Sequence, residues 1–138
     1  MKTKTKTILI IASTFYSKIS DKLLNGSKNI LDENKVNYDV KKVSGSLEIP
    51  FILEKYKNKY DGYIVLGCII EGETDHHEVV KEISIKHIYE IAYKNKLPLS
   101  SAILTVKNLE QALERADIKK RNLGGKAAEV CLNLMKEI

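Results

Sequence analysis

The sequence predicts an α/β fold of three layers, in which helices cover both faces of a parallel sheet. Short, continuously apolar runs rich in β-branched residues alternate along the chain with longer segments of helical periodicity. Continuous apolar runs are typical of parallel strands that are buried on both faces. The length of 138 residues corresponds to one domain, since domains are roughly 100–200 residues long. We therefore expect a single domain over residues 1–138.

Four β-rich runs are expected to form the sheet. A helical segment follows each of them, and right-handed crossovers through helices are what join parallel strands. Ligands of such sheets bind beyond the carboxyl ends of the strands, so the residues that follow each run are candidates for a site. The predicted strands are Thr7–Ala12, Tyr38–Val43, Gly62–Ile70 and Leu99–Thr105.

Five segments have the apolar spacing of helices that pack on a sheet. Pro50 stands in the first turn of the second helix, where its missing N–H leaves no hydrogen bond unmade. Asn108 can cap the fourth helix through its side chain. The predicted helices are Ser17–Asn34, Ile49–Tyr60, Glu78–Asn95, Asn108–Ala116 and a last one from about Gly125 to Lys136.

The charge balance is 23 Lys and Arg against 18 Asp and Glu, a formal net charge of +5. Such a charge admits a nucleic-acid partner, but Arg115 and Arg121 are the two arginines among the basic residues. Because bidentate recognition of phosphate or guanine favours arginine, we interpret the excess as a lysine-rich composition and expect no nucleic-acid partner.

Membrane insertion and export are not expected either. The apolar stretch Thr7–Ala12, which follows the basic N-terminus, is too short for a signal peptide or a membrane span. Cys68 and Cys131 lie in apolar segments without the spacing of a zinc or redox motif. We therefore expect both to be reduced core residues of a cytoplasmic protein.

The segment LGCIIEGETDHHE, Leu66–Glu78, ends the third predicted strand and is the strongest candidate for a site. Gly67 and Gly72 permit tight turns, and Thr74 or Asp75 can cap the next helix. The unpaired N–H groups at a helix N-terminus favour anions such as phosphate. We therefore expect the start of this helix to bind an anion.

His76 is expected in the first turn of that helix, where an imidazole can move protons near neutral pH. Nucleotide triphosphate binding is disfavoured, because Glu73 follows Gly72 where a P-loop needs lysine. His77 and His87 are best interpreted as surface histidines. A metal site is also disfavoured, since the spacing of a histidine zinc motif is absent from His76, His77, Glu78 and His87.

Arg115 is a second candidate. In a chain that otherwise uses lysine, an arginine indicates a position at which the planar guanidinium is needed. A helical contact with Gln111, four residues before it, is the structural alternative. Ser44–Pro50 is a third candidate, in which Glu48 can accept hydrogen bonds from a polyol or a heterocycle. Phe15 can stack on a planar ring or pack in the core.

Taken together and in this order, the candidate segments resemble the lumazine synthase family over nearly the whole chain. LEQALERA from Leu109 and LGGKAAE from Leu123 are similar to family motifs, and Ser44–Pro50 is similar to the family's Pro-Gly-Ala-Phe-Glu-Ile-Pro turn. The family pattern Gly-x-x-Ile-x-Gly-x-Thr-x-His is matched by Gly67, Ile70, Gly72, Thr74 and His76.

The resemblance implies a flavodoxin-like αβα sandwich around a four-stranded parallel sheet. It implies a transferase of riboflavin biosynthesis that condenses 5-amino-6-(D-ribitylamino)uracil with 3,4-dihydroxy-2-butanone 4-phosphate, without cofactor or metal. The products would be 6,7-dimethyl-8-ribityllumazine, phosphate and water. The residues it assigns are His76 for proton transfer; Phe15, Ser46, Leu47, Glu48, Cys68, Ile69 and Ile70 for the pyrimidine and its ribityl chain; and Glu73, Thr74 and Arg115 for the phosphate.

The resemblance also implies homopentamers with active sites shared between neighbouring subunits. Decamers, 60-subunit shells and association with riboflavin synthase are further assemblies that it allows. Ser101 stands where many members have an aromatic residue from the neighbouring subunit, which predicts a pocket with one open wall. Leu123 replaces a lysine near the phosphate, although Lys119, Lys120 and Lys126 are close in sequence.

Further departures from the family's pattern are Thr14, Tyr16 and Glu71. They predict weaker substrate binding than in typical members. A catalytically weakened scaffold that binds lumazine or flavin is therefore the alternative function. An RNA-binding module, which only the net charge suggests, lacks the aromatic motifs and arginine clusters of such modules.

Overall fold

A computed structural model describes residues 5–72 and 76–138 of the chain. It confirms the predicted three-layer α/β fold, with a four-stranded parallel sheet in the order β2-β1-β3-β4. Thr7 pairs with Asn37, Ile8 with Gly62, and Tyr63 with Leu99. The strands are β1 (Thr7–Ser13), β2 (Asn37–Val43), β3 (Gly62–Ile70) and β4 (Leu99–Val106).

Five α-helices and one short 3₁₀ helix surround the sheet. The 3₁₀ helix, Ser46–Glu48, follows β2 and leads directly into the second α-helix. The α-helices are α1 (Ser17–Glu33), α2 (Ile49–Tyr56), α3 (His77–Asn95), α4 (Leu109–Ala116) and α5 (Leu123–Met135).

Two apolar cores lie on the two faces of the sheet. Because successive side chains of a strand point to opposite faces, Ile8 and Ile10 of β1 pack with α1, α4 and α5, whereas Leu9 and Ile11 pack with α2 and α3. Every residue of β3 is buried, as expected for a central strand covered on both faces. The continuous apolar runs in the sequence are explained by this double burial.

Two predicted helix boundaries differ from the structure by two residues or more, and several others differ by one. Helix α2 ends at Tyr56 instead of Tyr60, because the Tyr63 hydroxyl donates to the Tyr56 carbonyl at 2.6 Å and Asn58 turns the chain with φ of 64°. Helix α5 begins at Leu123, two residues before the predicted start. There Asn122 caps the helix by accepting a 3.2 Å hydrogen bond from the Gly125 amide.

The backbones of helices α1 and α5 are in direct contact at Gly124. A Cβ atom on Gly124 would overlap the Leu23 carbonyl group, so this contact requires glycine. The Ser27 hydroxyl donates to the Gly124 carbonyl at 2.7 Å. This pair of contacts fixes the start of α5 relative to the sheet.

Within residues 5–72 and 76–138, no helix has the length and apolar character needed to cross a membrane. Cys68 and Cys131 are buried free thiols, as predicted. Burial raises the pKa of each thiol from 9.0 to about 12. Both are therefore protonated at neutral pH.

Candidate active site

The carboxyl ends of β1, β2 and β3 surround a cavity of about 400 Å³, which we call the first cavity. Its position is the one at which parallel sheets bind ligands. The structure brings together there seven of the residues that the sequence analysis assigned to the pyrimidine and ribityl chain. The lining residues are Ser13, Phe15, Tyr16, Ser44, Gly45, Ser46, Leu47, Glu48, Cys68, Ile69, Ile70 and Val80.

Phe15 forms an aromatic wall at the end of β1. Its side chain is 70% exposed, which favours the ligand-stacking interpretation over core packing. Tyr16 holds it edge-on, with ring centroids 4.9 Å apart and an angle of 78° between the planes. An exposed aromatic ring held by a second ring can stack on a planar heterocycle without first being ordered.

The polar side of the first cavity comes from the turn after β2. Ser46 is buried in the 3₁₀ helix, while Leu47 and Glu48 are exposed. The Ser44 hydroxyl donates to Glu48 Oε1 at 2.8 Å, which orients the carboxylate at the cavity. A carboxylate only accepts hydrogen bonds, so this wall suits hydroxyl or ring N–H donors.

The floor of the first cavity is the end of β3. Cys68, Ile69 and Ile70 are buried and present backbone and apolar surface. Because burial raises the pKa of the Cys68 thiol to about 12, this residue is neutral at pH 7 and lines the cavity by packing. The raised pKa disfavours the thiolate that a nucleophilic cysteine needs.

The turn between β3 and α3 contains the predicted anion site. His76 occupies the residue immediately before α3 and is exposed, one position earlier than the expected first turn. Glu73 and Thr74, assigned to the phosphate, and the predicted cap Asp75 lie outside the described residues. Val80, one turn into α3, lines the first cavity.

The other two histidines of the chain lie on α3. His77 is half-buried, with Nε2 3.3 Å from Glu78 Oε1, and His87 is exposed, with Nδ1 3.5 Å from Glu90 Oε2. No group of three or more His, Cys, Asp or Glu side chains in residues 5–72 and 76–138 is placed to hold a metal ion.

A second cavity of about 450 Å³ lies along the free edge of β4. Ser101 and Arg115 line it, so the structure does not bring these two predicted site residues to the first cavity of the same chain. The two cavities share no lining residue. The lining residues of the second cavity are Tyr89, Leu99, Ser100, Ser101, Ala102, Ile103, Leu104, Thr105, Arg115, Leu123, Lys126, Ala127 and Val130.

The cations of the second cavity come from α4 and α5. Arg115 is half-buried, and its Nη1 donates to Gln111 Oε1 at 3.4 Å, so the helical contact considered for this residue is present. Of the three lysines close to Leu123 in sequence, Lys126 lines the cavity, and neither Lys119 nor Lys120 does. No acidic residue is in the lining, which favours an anionic ligand.

Sequence reasoning missed four lining residues that have a clear place in the structure. Ser13 lines the first cavity because β1 extends one residue beyond its predicted end. Tyr16 lines it beside Phe15, with which its ring makes an edge-on contact. Val80 and Tyr89 lie on α3, where apolar and aromatic residues at helical spacing indicate core packing. In the sequence, only the hydroxyl of Tyr89 could have indicated a role other than packing. In the structure this hydroxyl lies 2.9 Å from Ser101 Oγ.

The first cavity can therefore receive a planar ring with hydroxyl and N–H donors, and the second can receive an anion. Comparison of the chain with known proteins shows which family it belongs to. A family model described as 6,7-dimethyl-8-ribityllumazine synthase matches residues 5–138. The match spans both cavities and every element of the fold.

Relatives of the same description are similar over most of their own length. The 6,7-dimethyl-8-ribityllumazine synthase of Bartonella tribocorum is 44% identical over 128 residues, which are 91% of this chain and 85% of that protein. That of Paramagnetospirillum magneticum is 38% identical over 93% of this chain and 91% of its own. That of Agrobacterium fabrum is 36% identical, with 94% and 92% covered. The chain thus belongs to the 6,7-dimethyl-8-ribityllumazine synthase family.

Proposed function

We propose that this chain condenses 5-amino-6-(D-ribitylamino)uracil with 3,4-dihydroxy-2-butanone 4-phosphate to give 6,7-dimethyl-8-ribityllumazine, phosphate and water. The observation that carries the proposal is the first cavity, because residues from three separate strand ends meet there in a pattern that suits the pyrimidine substrate. Phe15 would stack on its ring, and Glu48 with the backbone around Ser46 would accept from the ribityl hydroxyls and ring N–H groups. Riboflavin biosynthesis and a cytoplasmic location are parts of the same proposal.

For this reaction the protein mainly has to position the two substrates, because the substrates themselves supply most of the reactivity. The aryl amine of the pyrimidine attacks the ketone and forms an imine with loss of water, and phosphate is then eliminated. The ribitylamino nitrogen finally attacks the remaining carbonyl and closes the second ring with loss of a second water. Holding two reactants in contact converts a bimolecular step into a unimolecular one. His76, the exposed residue before α3, is the residue we assign to proton transfer, which contributes typically about 10²–10⁴-fold.

Two half-sites on one chain favour an oligomer. In a ring of identical subunits, each head-to-tail interface joins one surface to a different surface of the next copy. Such an interface would set the first cavity of one subunit against the second cavity of its neighbour and deliver Arg115 to the phosphate of the butanone substrate. Glu73 and Thr74 would hold that phosphate from the subunit of the first cavity. We assign a homopentamer, the state that family membership favours.

A catalytically weakened scaffold that binds lumazine or flavin is the second candidate function. Ser101 and Leu123 favour it, since neither can supply the aromatic ring or the cation that the family pattern has there. Turnover distinguishes the two functions. Purified chain given both substrates should produce the lumazine absorbance, whereas binding without turnover would establish the scaffold.

The shared pocket is tested by mixing two inactive variants, His76→Ala and Arg115→Ala. Each homopentamer should lose activity, because every site lacks one of the two residues. In mixed pentamers formed by unfolding and refolding together, about a quarter of the interfaces combine an intact His76 with an intact Arg115. We therefore expect activity to return to about that fraction.

No recovery in mixed particles would place both residues in the site of one subunit and contradict the shared pocket. Arg121→Ala is the matched control, since Arg121 is the other arginine, is exposed and lies outside both cavities. In its mixture with His76→Ala, every subunit keeps Arg115. Only the sites with an intact His76 should therefore be active, without any gain from mixing. Light scattering of the wild type distinguishes a pentamer from a decamer or a 60-subunit shell.

A further inference from the structure

Tyr89 is the aromatic residue of the second cavity. It projects from α3 towards the free edge of β4, and no other aromatic side chain is in that lining. Its hydroxyl lies 2.9 Å from Ser101 Oγ, so the ring is held beside the strand position at which a pocket wall was expected to be open. The half-buried side chain is thereby fixed at its polar end.

A second contact fixes the ring of Tyr89 itself. Tyr93, one turn further along α3, lies with its ring centroid 5.6 Å away at an angle of 42°. Tyr93 is 75% exposed and does not line the cavity. The hydrogen bond to Ser101 and the ring contact together order Tyr89 before any ligand arrives, which lowers the entropic cost of binding.

The proposed pyrimidine substrate is planar and has two faces. Phe15 in the first cavity can cover one of them. The other aromatic residue in the lining of that cavity is Tyr16, whose ring lies edge-on to Phe15 and not parallel to it. The opposite face is therefore left for the surface that closes the pocket. In the proposed assembly, that surface is the second cavity of the neighbouring copy, which carries Arg115 and Tyr89 together.

We infer that Tyr89 is the second ring-stacking residue of the active site, contributed by the neighbouring subunit in place of an aromatic side chain at position 101. The inference rests on the proposed function and its shared pocket. Ser101 acts in this arrangement as the hydrogen-bonding partner that orients the tyrosine ring. Tyr89 is a substrate-binding residue and takes no part in proton transfer.

Steady-state kinetics with each substrate varied separately test this assignment. Tyr89→Leu keeps an apolar side chain but removes the ring, and should raise KM for the pyrimidine substrate about three- to tenfold. KM for the butanone phosphate should change less than twofold. Tyr89→Phe, which keeps the ring, should stay within about twofold of the wild type for both substrates.

Two further variants separate ligand stacking from a structural role. Tyr93→Leu is the comparison variant, since it leaves the Tyr89 ring in the cavity and removes only a contact that orders it. It should raise KM for the pyrimidine substrate less than Tyr89→Leu does and leave KM for the butanone phosphate unchanged. The double variant Tyr89→Leu/Ser101→Phe places a ring on β4 at the same point and should restore KM for the pyrimidine. An unchanged KM in Tyr89→Leu, or equal increases for both substrates without rescue, would overturn the assignment.

Fluorescence titration with 6,7-dimethyl-8-ribityllumazine keeps this test separate from that of catalysis. If the wild type binds the lumazine without turnover, the proposed reaction fails, yet a three- to tenfold weaker Kd in Tyr89→Leu would still support ring stacking. An unchanged Kd in that variant would overturn the stacking residue alone. A wild-type pentamer that neither binds nor reacts would overturn both proposals.

Discussion

Gly67 packs directly against Ser46 across the floor of the first cavity. A Cβ atom on Gly67 would lie 3.1 Å from Ser46 Oγ and 3.3 Å from Ser13 Cβ. The ends of β1 and β3 and the turn after β2 therefore meet around a position at which a methyl group would be a tight fit. The shape of the cavity depends on this close approach.

Gly67→Ala should displace Ser46 and Ser13 by a few tenths of an ångström. Forcing an extra methyl group into a packed site costs about 1–3 kcal/mol, so we expect the free energy of unfolding to fall by about 1 kcal/mol. KM for the pyrimidine substrate should rise at the same time. Gly45→Ala is the control, because its added Cβ meets Glu48 Oε1 at 3.4 Å, an ordinary contact. Denaturant unfolding and kinetics of both variants check this prediction.

His76→Ala should slow the chemical step far more than it weakens binding. The expected loss in kcat is about 10²–10⁴-fold, the usual contribution of a positioned acid or base, with little change in either KM. His87→Ala is the control, since His87 is exposed on α3 and lies outside both cavities. Unchanged turnover in His76→Ala would remove the proton-transfer role.

Lys126→Ala should raise KM for the butanone phosphate about fivefold, because Lys126 is exposed and two unit charges about 4 Å apart in bulk water interact by about 1 kcal/mol. A phosphate monoester carries almost two negative charges at neutral pH, and Arg115 neutralises only one of them. The effect should shrink at high salt, where exposed charges are screened. Lys119→Ala and Lys120→Ala are matched controls from outside the cavity, and an equal effect in either would contradict a specific role.

The two buried thiols should make the chain less stable in alkali. Their pKa is about 12 in the folded chain and near 9 once exposed, so the unfolded state loses these protons first as pH rises. Their contribution to stability is complete below about pH 9 and is lost towards pH 12. Cys131→Ala should show a shallower decline than the wild type in denaturant unfolding above pH 9. Parallel curves there would show that other groups dominate.

The fold could be predicted from the sequence because double burial leaves a strong pattern. β3 is apolar over its whole length since helices cover both of its faces, and the cap at Asn108 is local chemistry, with its Oδ1 accepting from the Gln111 amide at 2.9 Å. The end of α2 could not be located, because it depends on the hydrogen bond between the Tyr63 hydroxyl and the Tyr56 carbonyl. A tertiary contact of this kind leaves no periodic signal.

The candidate site was predictable to the extent that it lies at strand ends. Phe15 and Glu48 each follow a strand, and parallel strands end at one edge of the sheet. Arg115 was recognised as unusual, but its separation from the first cavity depends on the position of β4 at the sheet edge. Tyr89 was missed, because a tyrosine at helical spacing indicates packing and only the contact with Ser101 shows otherwise.

The close approach of α1 and α5 at Gly124 has a consequence for ligand recognition. Lys126 and Leu123 lie within one turn of that glycine, so a side chain at position 124, which would overlap the Leu23 carbonyl, would displace the start of α5 and both of these residues with it. The position of the second cavity's lysine thus depends on a residue that has no functional group of its own.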